Sequence, residues 1–170
     1  MKKTLAILGL ILSFSFVLNA QKKAPVQPVG CLDPLVRQQA DLIKQHYVSQ
    51  GFMVYRDAMI NMQSMVPFPV MVQFNKGQLY QIVFVGQTEA TTHKLVIYDG
   101  GDNIIDERSV SKKHGDEVTN FIVYEFIPDR TDTYLLTFMT RLKNRDFCGS
   151  VCILAADRNK KELKYTPYVP

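Results

Sequence analysis

Apolar and polar residues alternate with a period of two in run after run of this chain, and each run stops shortly at Gly, Pro, Asn or Asp. "PVMVQFN" sets Val70, Val72 and Phe74 against Met71, Gln73 and Asn75. "QLYQIVFVGQ" sets Tyr80, Ile82 and Phe84 against Leu79, Val83 and Val85. "KLVIYD", "NIIDERSV", "NFIVYEFI", "TYLLTFMTRL" and "SVCILAA" follow, and "FMVYRDAMINMQSM" reads as one or two further strands. Successive side chains of a strand point to opposite faces, so such runs bury their apolar half only as strands against a core. About seven to nine short strands separated by turn residues predict an all-β, antiparallel β-sandwich or jelly roll. No strand–helix alternation supports a parallel, doubly wound sheet.

One segment departs from that period. "DPLVRQQADLIKQHYVSQG" begins with Asp33, which can accept from free helix amides, and Pro34, whose φ suits a first turn. Val36, Ala40, Ile43 and Tyr47 recur at helical spacing, with Leu35 and Leu42 beside them, and Gly51 can end the helix in a left-handed conformation. The spacing predicts a single N-terminal amphipathic helix packed on a sheet.

The first residues, "MKKTLAILGLILSFSFVLNA", have the form of a signal peptide: Lys2 and Lys3, an apolar run from Leu5 to Leu18, and Leu18 and Ala20 before a cut at Gln21. The expected organisation is a signal peptide over 1–20, a flexible proline-bearing lead-in over 21–30, one domain over 31–158 and a loosely held polar tail over 159–170. The chain carries 20 Lys and Arg against 16 Asp and Glu, and two of the basic residues lie in the signal segment. The remaining charges are scattered and nearly balanced. That pattern gives no electrostatic case for nucleic acid or, after cleavage, for a membrane surface.

Export permits disulfides, and the three cysteines are Cys31, Cys148 and Cys152. Four residues of regular strand span about 13 Å, beyond disulfide reach, so a Cys148–Cys152 bridge needs a turn at Gly149-Ser150. A bond from Cys31 to Cys148, with Cys152 as the alternative, is favoured because it needs no such turn.

Laid out in order, "KGQLYQIVFVG", "HKLVIYDGGDNII" and "FIVYEFIPDRTDTYLLTF" resemble the bacterial pre-peptidase C-terminal type of β-sandwich domain. The resemblance spans about residues 76–141 and rests on Tyr80, the pair Tyr98-Asp99 before a Gly-rich turn, and the pair Thr133-Tyr134. The family has Gly before that last pair, where this chain has Asp132. What the resemblance implies is an accessory or binding module, calcium-linked in some members.

Calcium is accordingly the cofactor to weigh. Asp99, Asp102, Asn103 and Asp106 offer oxygens around "DGGDN", but the spacing is not that of an EF-hand loop, and calcium wants six to eight ligands. The same residues are accounted for more simply by a hairpin, with Gly100 and Gly101 supplying positive φ. The histidines His46, His93 and His114 share no motif and read as surface residues. No nucleophile elbow, zinc-protease or phosphate-loop pattern is present, and the sequence assigns no catalytic residue. Tyr55, Tyr165 and Tyr168 are the aromatics least committed to a core. Met53, Met59, Met62, Met65 and Met71 are expected as core filler, whereas an exposed methionine patch would mark a partner site. The functional expectation is a non-catalytic binding or interaction module of the periplasm, outer surface or exterior, with a protein or polysaccharide partner of the envelope. The alternatives are a small secreted hydrolase with spatially paired carboxylates, or a subunit that self-associates through an edge strand.

Overall fold

A computed structural model describes residues 33–111, 119–143, 146–157 and 163–169. The signal segment, the lead-in, Cys31 and His114 lie outside the described residues. Among the described residues one helix, α1 (Pro34–Ser49), precedes eight strands: β1 (Phe52–Gln63), β2 (Phe68–Phe74), β3 (Tyr80–Val85), β4 (Thr92–Tyr98), β5 (Ile104–Ser111), β6 (Phe121–Phe126), β7 (Asp132–Arg141) and β8 (Asp146–Ala156). They form two four-stranded antiparallel sheets, ordered β1-β8-β3-β6 and β2-β7-β4-β5. The chain changes sheet at every connection except that between β4 and β5, which makes the sandwich a jelly roll.

The helix begins and ends as its sequence demands. Asp33 Oδ1 accepts from the backbone amides of Leu35 (2.9 Å) and Val36 (3.3 Å), and Gly51 follows the last turn with φ +99°. Val36, Ala40, Ile43 and Tyr47 are its buried residues.

This helix gives the protein two apolar layers. Between the sheets, Tyr80, Ile82 and Phe84 meet Phe74, Leu95, Ile97, Tyr134, Leu136 and Phe138. On the far side of the first sheet, Val83, Val85, Cys152 and Leu154 lie under the helical face. All six residues of β3 are therefore buried, since its sheet is covered on both sides. The tail adds to the cover, against the expectation that it is loosely held. Leu163, Tyr165 and Tyr168 pack on this outer layer, Tyr165 edge-on to Phe52 at 5.4 Å. Gln50 Oε1 accepts from Thr166 N (2.6 Å), and Tyr47 Oη accepts from Tyr168 N (3.2 Å). The polar tail residues obscure a Tyr-x-x-Tyr spacing that places both rings on the sheet.

Candidate functional site

The "DGGDN" segment forms the turn of the β4–β5 hairpin. Asp99 organises it. Its Oδ1 accepts from Gly101 N and Asn103 N, both at 2.9 Å, and Oδ2 accepts from the Arg130 guanidinium at 2.8 Å. The Asn103 backbone amide, then its side-chain amide, the Gly101 amide and Arg130 hold the Asp99 pKa down at about 2. Asp106 is spent elsewhere, accepting from the Tyr124 hydroxyl and from Glu107 N. The positive φ of the turn falls on Asp102 (+61°), which corrects its assignment to Gly100 and Gly101. Asp tolerates the left-handed region better than most side chains, so the turn does not need glycine there. Among the described residues no group of three or more His, Cys, Asp or Glu is placed to hold a metal ion.

The tyrosines that carry the family resemblance are mostly structural. Tyr80 and Tyr134 are buried in the inter-sheet core. The Tyr80 hydroxyl accepts from Asn75 N (3.1 Å), and the Tyr134 hydroxyl donates to the Arg130 carbonyl (3.1 Å).

Cys148 and Cys152 both lie in β8, with Gly149 and Ser150 as strand residues between them, so no turn brings the two together. Cys152, the alternative disulfide partner, is a free thiol beneath α1, and burial, followed by the negative charge of Asp57, pushes its pKa up to about 12. It is an inert core residue at neutral pH.

His93 is not a surface residue. It is fully buried in β4, its Nδ1 3.0 Å from Thr140 Oγ1 and its ring edge-on to Phe84. The inward-facing positions of β4 are His93, Leu95 and Ile97, so the two-residue period contained this placement. The polar residues around it in sequence, Thr91, Thr92 and Lys94, obscure that placement. His46, half-buried on α1, has Nε2 2.9 Å from the Thr166 carbonyl.

Two carboxylates beside α1 share one cation. Asp41 and Asp57 converge on the Lys44 ammonium at 2.9 and 2.6 Å. Partial burial works against that ammonium, yet its hydrogen bonds to Asp57 and Asp41 outweigh the cost and raise its pKa.

The methionines are largely outside the core, contrary to expectation. Met62 is buried, and Met59 packs partly under the helix. Met53, Met65 and Met71 are 55%, 50% and 74% exposed. Tyr55 is also exposed and donates its hydroxyl hydrogen to the Gln73 carbonyl of β2 (2.8 Å). Met71 belongs to the most ordered apolar feature of the surface. It pairs with Leu135, Leu135 with Tyr98, and Tyr98 with Ile104. Directly opposed residues share a face, so the four side chains form a row across all strands of the second sheet, about 14 Å long at the usual strand spacing. Ile104 is 61% exposed at its far end. The helix packs on the other sheet, so among the described residues no helix covers this face.

The described residues thus define a helix-capped jelly roll with one covered and one uncovered sheet. No family model matches the chain, and neither does any curated protein sequence. Among solved structures, it is similar to a chain from Bacillus endospore appendages, described as a family of disulfide-linked pili (13% identity, 62% of this chain and 86% of that one, TM-score 0.37). It is also similar to a CBM4 structure (15% identity, 59% and 73%, TM-score 0.33) and to the infectious bursal disease virus VP2 subviral particle (12%, 61% and 34%, TM-score 0.30). Likenesses this distant carry no argument about what the chain binds.

Proposed function

We propose that this chain is an exported, non-catalytic interaction module that docks a protein of the cell envelope or exterior on the open face of the β2-β7-β4-β5 sheet. The row Met71–Leu135–Tyr98–Ile104 carries the reading. Met71 and Ile104 are exposed at its two ends and Leu135 and Tyr98 are partly exposed between them, and an apolar row of this kind on a sheet surface supports an interaction site. Its side chains are mainly aliphatic, with Tyr98 the one ring, which suits a protein surface better than a polysaccharide that stacks on aromatic faces. The form of residues 1–20 supports export. The resemblance over 76–141 to pre-peptidase C-terminal domains supports an accessory role. Within the same reading, Cys31 bonds Cys148, since Cys152 is a buried free thiol. A cleft of about 560 Å³ lined by Met62, Phe68, Gln87 and Cys148 opens at that end of the sandwich. Gln87 Nε2, on its wall, donates to Asp33 Oδ2 at the start of α1 (2.9 Å).

A second reading, self-association, is favoured by β1. This edge strand leaves Met53, Val54 and Tyr55 exposed in succession. One experiment separates the two. Cross-linking in the native envelope captures a partner with the wild-type chain, and Leu135→Lys or Met71→Lys abolishes capture while leaving the melting temperature within a few degrees. Capture that survives both substitutions overturns the docking face. A dimer in sedimentation that persists in Leu135→Lys and is lost in Val54→Lys establishes the edge-strand reading in its place.

A further inference from the structure

A second cavity, of about 270 Å³, lies on the outer side of the first sheet, where the tail crosses β6. Its walls include the rings of Phe121, Tyr165 and Tyr168. Its polar side chains include Gln81 of β3, Glu125 of β6 and Arg108 of β5, with Thr119 beside them. Gln81 and Glu125 are directly paired across the β3–β6 ladder, so both project to this side of the sheet.

Gln81 is the informative residue. It is only 2% exposed, and among the described residues its Nε2 has no hydrogen-bond partner. A buried amide donor left unmade is costly and rare in a folded protein, and an acceptor brought by a ligand would satisfy it. The other groups restrict what that ligand is. Glu125 disfavours an anion and Arg108 disfavours a cation, while together they offer one acceptor and one multiple donor. Neighbouring hydroxyl groups, which both donate and accept, match that mixed set. Tyrosine and phenylalanine rings suit a ligand with an apolar face, and the volume admits a single ring-sized molecule rather than a peptide.

We infer that this cavity is a binding site for one neutral sugar residue, its ring against Tyr165 and Phe121 and one of its oxygens accepting from Gln81 Nε2. The site is separate from the docking face, on the opposite sheet, and either can fail without the other.

Methyl glycosides of glucose, galactose and N-acetylglucosamine are titrated into the full mature chain and followed by tyrosine fluorescence and calorimetry. At least one should bind saturably, with millimolar affinity, and raise the melting temperature. Gln81→Leu keeps the size of the side chain and removes the donor, so it should fold at least as well and bind roughly tenfold more weakly. Should that variant not fold, Glu125→Ala, at an exposed position, should weaken the same sugar by a similar factor. Absence of saturable binding by all three glycosides, or equal affinity in the variant that folds, overturns the inference.

Discussion

Gly86 and His93 show how one side chain sets the identity of another across the fold. A Cβ at Gly86 would stand 2.4 Å from His93 Cε1, closer than any real contact allows. His93 has no room to retreat, because it is fully buried against Phe84 and held at Thr140. Gly86→Ala should therefore destabilise the protein by about 1–3 kcal/mol in urea unfolding, the usual cost of overpacking. An unchanged midpoint would mean that the ring is free to move. Asp99 acts on a solvent-facing turn instead. Its carboxylate, held at a pKa of about 2 against an ordinary 3.8, favours the folded turn most when ionised. Its contribution is complete above pH 3.8 and is lost as pH falls through 2. A carbon-detected NMR titration should place its midpoint near 2, and Asp99→Ala, which removes the carboxylate, should broaden the Gly101 and Asn103 amides, which lose their acceptor.

At the scale of elements, local signals were read well wherever the element is closed by near neighbours in the chain. The helix carries its own cap, its own stripe and its own terminator, so Asp33, Val36, Ala40, Ile43, Tyr47 and Gly51 all take the places their spacing dictates. The hairpin at "DGGDN" is also local, and its existence, though not the seat of its positive φ, was legible. Elements whose environment comes from distant parts of the chain were not. The tail looks solvated in sequence because its two tyrosines find their partners, Tyr47, Phe52 and Phe121, more than forty positions away. Met53, Met65 and Met71 look like filler until β1 and β2 are found to be edge strands. The proposed Cys31–Cys148 bond belongs at this scale, since it fastens the segment before α1 to β8. Non-reducing peptide mapping should recover a peptide pair containing those two residues, with Cys152 alkylated only after unfolding. Recovery of Cys31 as a free thiol would rule the bond out.

For the molecule as a whole, the helix-capped jelly roll distributes its surfaces unequally. One sheet spends its outer face on a second apolar layer, in which α1 and the tail cover Val83, Val85 and Leu154. The outer face of the other is not packed by the helix among the described residues, and Met71, Leu135, Tyr98 and Ile104 are in register across it. That inequality is the basis of the proposed docking face. The sequence by itself determined that the chain is all-β with one amphipathic helix, which β positions are apolar, and where the helix starts and stops, because side-chain periodicity and capping are properties of a few adjacent residues. Only the tertiary structure decided that β8 runs between β1 and β3, that His93 is inside and Met71 outside, and that four apolar residues from four strands line up. Every strand but the β4–β5 pair takes its hydrogen-bonded neighbours from distant parts of the chain, and local periodicity carries no information about which strand will arrive alongside.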